Sequence, residues 1–189
     1  DKLCHNIHLP VQCGSDRVLK RMNRHYDRAK YMSIIAKLRE ECPDITISTD
    51  IIVGFPGETE EDFEQTLSLV NEVEYDSAFT FIYSPREGTP AARYEDQIPE
   101  EIKHERFDRL VDDINRISLE KNLQYQGKTY DVLVEGRSKT DDGAWAGRTN
   151  GFKLVNFTAP EEMGKLDGKT VKVEITEAKT FSLYGVIAE

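Results

Sequence analysis

TDIIVGFPGETEEDF, residues 49–63, reads as a strand, a break and the start of a helix. Apolar and β-branched residues flank Asp50 on both sides, the composition of a central parallel strand, in which a charge is costly unless it has a partner. Gly54, Pro56 and Gly57 break that strand, and the acids from Glu58 to Asp62 open a helix. Thr59 and Asp62 are placed as a capping box in which Asp stands for the usual Glu or Gln. In α/β folds ligands gather beyond the carboxyl ends of strands, and glycines there let a small molecule approach the backbone. A ligand is therefore the natural partner for Asp50, against a competing reading in which the glycines serve only chain geometry.

The flanking sequence repeats the pattern. A strand over residues 7–11 leads into a loop at 12–15, and Asp27 then caps a helix with Tyr31, Ile34, Ile35 and Leu38 at helical spacing, ending before Cys42 and Pro43. The central strand covers 45–53, and the helix after it turns Phe63, Leu67 and Val70 inward. A third strand, 78–83, runs into a loop at 84–90; Pro99 then stands near the first turn of a long helix with Ile102, Phe107, Leu110, Ile114, Ile117 and Leu123 on or near one face. Strand and helix in alternation make a parallel sheet of βαβ units. Three such units leave an open sheet edge, so partner strands are expected upstream of Asp1, in keeping with a chain that opens on Asp and not on Met.

From about Gln126 the pattern changes to five short strands, 130–135, 144–148, 154–157, 170–176 and 182–188, separated by Gly and Asp/Asn turns. They predict a small closed antiparallel barrel. The fold class is thus α/β, with a partial (β/α) barrel over residues 1–124 followed by a five-stranded, OB-like β-barrel over 125–189.

The 189 residues, 38% of them hydrophobic, suffice for more than one core. No apolar run approaches a membrane span and no signal-peptide pattern opens the chain, which points to a soluble, cytoplasmic protein with no membrane partner. Cys4, Cys13 and Cys42 are odd in number and irregularly spaced, which argues for reduced thiols and against a disulfide framework or a metal site. His5, His8, His25 and His104 also lack metal-ligand spacing, so no metal ligand is assigned. The formal charge of −10 is unevenly spread: eight Lys or Arg and one acid lie between Arg17 and Arg39, and eight acids with no base between Glu58 and Asp76. Local fields, not net charge, decide what binds.

The loops at 12–15, 54–58 and 84–90 each follow a candidate parallel strand and converge at one rim. Their polar groups suit a nucleoside or an amino acid: Gln12 donates and accepts, Asp50 accepts from a ribose diol, and Arg24 forms a bidentate pair with a carboxylate. Each has an ordinary alternative, Arg24 as a solvated cation and Gln12 as a loop cap.

Taken in order, HLPVQCGSDRVLKRMNRHY (8–26), TDIIVGFPGETEEDF (49–63) and FTFIYSPREGTPAA (79–92) resemble the later half of the barrel of the radical S-adenosylmethionine methylthiotransferase family. LVEG (133–136), GRTNGFKLVNF (147–157) and GKTVKVEITEAKTFSLYGVI (168–187) resemble that family's TRAM domain, an RNA-binding module. The pairing of GRT with VNF, and the MNRHY segment, are most like the branch acting on isopentenylated adenosine. The resemblance implies radical S-adenosylmethionine chemistry that adds a methylthio group to carbon 2 of that adenosine beside the tRNA anticodon. It implies S-adenosylmethionine and two 4Fe-4S clusters as cofactors, and as partners the tRNA anticodon stem-loop, an electron donor and the N-terminal half of the same protein. Gln12, Arg24 and Asp50 match the family's cofactor-holding positions, and Ile52, Gly54 and Tyr83 on the same strand ends join them. The CxxxCxxC cluster motif is absent from these residues, so the cluster ligands are not on this chain, no catalytic residue is assigned, and the chain by itself is expected to be inactive.

For RNA the second domain offers Arg137, Lys139, Arg148, Lys153 and Lys179, with Trp145 and Phe152 near them in sequence. Cations contact phosphates and aromatic rings stack on unpaired bases, although either ring could equally belong to the core. Sister activities on ribosomal protein S12 or threonylcarbamoyl-adenosine stay open, as does a non-enzymatic RNA-binding module that keeps the barrel as a scaffold.

Overall fold

The computed structural model describes residues 3–139, 141 and 143–188. They form two compact units, one of residues 7–43 and 47–117, the other of residues up to 6, 44–46 and 118 onward.

The first unit is built on a sheet in the order β1 (Asn6–His8), β2 (Thr46–Val53), β3 (Ser77–Ile82). β2 and β3 are parallel, with Asp50 opposite Phe79 and Ile52 opposite Phe81. Beyond β1 the chain stays alongside β2: the Gln12 amide donates to Asp50 O at 2.9 Å and the Ile52 amide to Gln12 O at 2.8 Å. Alternation along β2 sorts its two faces. Ile47, Thr49, Ile51 and Val53 are buried, as are Tyr31 and Ile35 of α2 (Arg28–Glu41) and Phe63, Leu69 and Val70 of α3 (Glu60–Val73). The opposite face carries Ser48, Asp50 and Ile52, with Phe79 and Phe81 exposed on β3. Asp50 therefore lies on the open face with 30% of its side chain exposed, not in a core, and His8 Nε2 stands 3.4 Å from its carboxylate.

The caps fall where sequence places them. The Asp27 side chain accepts from the Lys30 amide, and Thr59 and Asp62 close a capping box at the head of α3. Two features depart from the pattern read in sequence. A short helix, α1 (Asp16–Arg21), forms inside the basic stretch, capped by Ser15. On α4 (Glu100–Leu123), Lys103 and Arg106 are buried while Ile102 and Leu123 are exposed. Charged partners explain the inversion: Arg106 meets Glu58 at 2.9 Å and Lys103 meets Glu100 at 2.8 Å.

In the second unit β4 (Thr129–Arg137), β5 (Trp145–Thr149), β6 (Leu154–Thr158), β7 (Thr170–Ala178) and β8 (Leu183–Ile187) close a barrel in the order β4-β5-β6-β8-β7. Four of its pairings are antiparallel, and the parallel β6–β8 pairing completes the ring. Val132, Val134, Trp145, Val155, Phe157, Leu166, Val173, Ile175 and Leu183 fill the interior. Closure needs glycine at two places, since a Cβ on Gly147 would stand 2.4 Å from Leu133 O and one on Gly185 2.3 Å from Glu174 O. The Asn122 amide group, in the last turn of α4, donates to Lys179 O and Thr180 O at 2.8 and 3.0 Å.

Candidate functional site

A cavity of about 610 Å³ opens beyond the carboxyl ends of β2 and β3, lined by Gln12, Arg24, Asp50, Ile52 and Tyr83 together with Met22, Phe55, Phe81, Ser84 and Arg86. Strand ends place Asp50, Ile52 and Tyr83 there; the loop after β1 delivers Gln12, and the turn after α1 delivers Arg24.

The loop carrying Gln12 is held firmly. The Gly14 amide donates to Thr66 Oγ1 at 2.9 Å, and a Cβ on Gly14 would stand 2.4 Å from Gln65 O, so the loop lies directly on the α3 backbone. Ser15 Oγ donates to Asp62 at 2.6 Å, and Arg17 also reaches that carboxylate. Burial works to raise the pKa of Asp62, but the hydrogen bonds from Arg17, Ser15 and Thr59 outweigh it and hold the carboxyl well below its ordinary range. The Asp62 carboxylate thus both caps α3 and anchors the loop.

Gln12 itself has φ +72°, a left-handed conformation unusual for a side chain of this size, and is buried. Its side chain makes no hydrogen bond among the described residues. Such backbone strain persists where the surroundings dictate it and clusters at ligand sites. Tyr83 adds a second open position: its hydroxyl is buried without a partner among the described residues, and its ring packs edge-on against Phe55 at 5.1 Å. Arg24 and Arg86, both exposed, make no ion pair among the described residues. The wall of the cavity therefore presents an amide, a carboxylate, a phenol and two guanidinium groups beside apolar rings, a set that fits a small polar ligand with an apolar part.

Gly54 does not line the cavity. It has φ +72°, and a Cβ there would stand 2.4 Å from Lys103 Cγ, so glycine serves the turn and the packing of Lys103. Its amide donates to Glu58 Oε1 at 3.0 Å, and that oxygen also receives Arg106 Nη1 at 2.9 Å. Burial pushes the Glu58 carboxyl upward, opposed by the Gly54 amide and by Arg106. These supporting groups carried no visible signal beyond their charge at helix positions.

Cys4 and Cys13 do not make a cluster site. Cys4 is exposed; Cys13 is buried, donates to Ser15 O at 3.5 Å, and burial pushes its thiol up to about 12, the reverse of the thiolate character a metal ligand needs. Neither Cys4 nor Cys13 as placed fits an iron–sulfur cluster.

The cations expected to meet RNA are not gathered at one place. Arg137 and Arg148 stand at opposite ends of the β4–β5 ladder. Arg137 stacks on the buried Trp145 at 4.0 Å, Lys179 lies 4.3 Å over Tyr184, and Arg148 lies 4.2 Å over the exposed ring of Phe152. Lys153 is buried and lies over Tyr125, and Lys139 is exposed. Trp145 belongs to the barrel core and Phe152 does not.

Residues 2–70 match the model of the radical SAM superfamily, and residues 123–188 match the TRAM domain. Curated relatives include the tRNA-2-methylthio-N(6)-dimethylallyladenosine synthases of Clostridium botulinum, 60% identical over 98% of this chain and 40% of the relative, and of Clostridium perfringens, 58% identical over 100% and 42%. The chain thus spans about 40% of the length of the relatives it matches. Among solved structures, coproporphyrinogen III oxidase from Escherichia coli, a radical SAM enzyme, superposes with a TM-score of 0.52 at 16% identity, over 77% of this chain and 41% of that one, a likeness of fold alone. With both segments in this order and such identity along its length, the chain is similar to part of the tRNA-2-methylthio-N(6)-dimethylallyladenosine synthases.

Proposed function

We propose that this chain supplies one wall of the S-adenosylmethionine site and the RNA-holding barrel of a cytoplasmic tRNA methylthiotransferase, divided near residue 124. The complete protein adds a methylthio group to carbon 2 of isopentenylated adenosine beside the anticodon. The observation that carries this reading is the gathering of Gln12, Arg24, Asp50, Ile52 and Tyr83 around one cavity over the strand ends. Those groups answer the cofactor's polar ends: the Arg24 guanidinium pairs with its carboxylate, Asp50 accepts from its ribose hydroxyls, and Gln12 and Tyr83 offer hydrogen bonds not used among the described residues. Ile52 and Phe81 supply apolar surface beside them.

The radical SAM match over residues 2–70 implies S-adenosylmethionine and iron–sulfur chemistry, which would supply the radical for the methylthio transfer. The residues of this chain hold and orient one cofactor. Two 4Fe-4S clusters, with ligands in the portion that the longer relatives carry beyond this match, and an external electron donor complete the reading; this chain by itself is inactive.

The complete protein with reconstituted clusters is expected to methylthiolate an isopentenylated tRNA anticodon stem-loop, read by mass spectrometry of the nucleosides. Product on ribosomal protein S12 or on threonylcarbamoyl-adenosine alone would replace the substrate named here.

A further inference from the structure

Phe152 sits in the hairpin between β5 and β6 with φ +62°. Its amide donates to Thr149 O at 2.9 Å, and the Thr149 amide donates to Lys153 O at 3.1 Å, which closes a tight loop. A loop of this kind places glycine or asparagine in the left-handed position, because a side chain there is strained. Here glycine stands one residue earlier, at Gly151, and an aromatic residue takes the strained place. Burial does not explain the choice, since Phe152 is 53% exposed. Neither local conformation nor the core calls for this ring.

The ring nevertheless has a partner. The Arg148 guanidinium lies 4.2 Å from its centroid and donates to Phe152 O at 3.1 Å, while Arg148 Nε donates to Glu135 at 3.2 Å. Beside this stack, Arg148 pairs across the sheet with Leu133, which is 52% exposed. A preassembled stack of planar groups next to an apolar strand residue is the platform on which proteins lay unpaired bases. Charge alone does not suffice for this unit: residues 125–189 carry nine Lys or Arg against ten Asp or Glu, so a nucleic acid held here depends on stacking more than on the field.

We infer that Phe152, propped by Arg148, is the base-stacking residue of this barrel and takes one unpaired RNA base onto the Arg148–Phe152 stack. This rests on the RNA-binding reading of the TRAM barrel and gives Arg148 the part of a positioning residue.

The test uses the full chain and a short single-stranded RNA carrying 2-aminopurine, with affinity followed by anisotropy across a salt series. Phe152→Gly suits the left-handed backbone, so Tm stays level or rises, while affinity falls roughly tenfold or more and the slope of log K against log salt is unchanged. Phe152→Tyr keeps affinity within about twofold and still quenches the 2-aminopurine; Phe152→Leu, apolar without a π-face, loses most of both. Wild-type affinity in Phe152→Gly overturns the inference, as does full quenching in Phe152→Leu, which assigns the ring to apolar contact or to a protein partner. Absence of any RNA binding by the wild-type chain instead overturns the reading of the barrel on which the inference rests.

Discussion

The cavity over the strand ends and the tip of the β5–β6 hairpin both present arginine to a ligand, in opposite conditions. In the cavity Arg24 and Arg86 make no ion pair and Gln12 no side-chain hydrogen bond among the described residues. At the hairpin Arg148 is already engaged by Glu135, by a carbonyl and by the Phe152 ring. Unpaired polar groups recognise a small molecule by having their hydrogen bonds completed, and they reject a ligand that leaves them unpaired. A finished stack offers a flat surface instead and accepts any base. On this reading the first region selects one ligand and the second accepts a class of ligand.

The contrast breaks first at its supports. Arg106→Met leaves Glu58 buried without its cation and is expected to cost about 3–5 kcal/mol in urea unfolding. Because Glu58 also holds the Gly54 amide, the cavity loosens as well, while RNA binding by the folded barrel persists. A loss below about 1 kcal/mol would assign that support to other contacts.

Gly14→Ala comes next, at about 1–3 kcal/mol, because its Cβ would stand 2.4 Å from Gln65 O and the loop carrying Gln12 must lift. Cofactor affinity is expected to fall with it; full affinity would mean that Gln12 holds its place by other means.

Acid titration reads the other anchor of that loop. The folded Asp62 carboxyl is held below its ordinary value of 3.8, so its contribution is present in full above that value and is lost as pH falls through the folded value. Asp62→Asn removes the charge and one of the two acceptor oxygens shared by Ser15, Arg17 and Thr59, is expected to cost about 1–2 kcal/mol at neutral pH, and flattens the acid limb of the stability curve. An acid limb as steep in the variant as in the wild type would place the titration elsewhere.

Much of this architecture was legible in sequence. The capping signals at Asp27, Thr59 and Asp62 fell where the helices begin, and the five barrel strands lay within a few residues of their places. Alternation along β5 sends Trp145, Gly147 and Thr149 inward and leaves Arg148 outside, so the core tryptophan could have been told from the surface arginine by period alone. Other features left no trace. α1 is six residues long with only Val18 and Leu19 buried, too short for a helical period. Lys103 and Arg106 are buried by pairing with acids, some of them distant in sequence, and so look like surface residues in the linear pattern. The exposure of Phe152 depends on a left-handed turn that a glycine one residue earlier conceals. Of the cofactor residues read from sequence, Gly54 alone stands off the cavity, because a glycine at a strand end signals a turn without telling which side a ligand approaches.

The central claim is that the polar groups of the cavity hold S-adenosylmethionine. Isothermal titration of the complete, cluster-reconstituted protein with S-adenosylmethionine tests it most directly, with Asp50→Ala set beside wild type. The expected result is an affinity lowered tenfold or more with Tm and the visible spectrum of the clusters unchanged, since Asp50 lies on an exposed sheet face and carries no core packing. Wild-type affinity in Asp50→Ala would contradict the account.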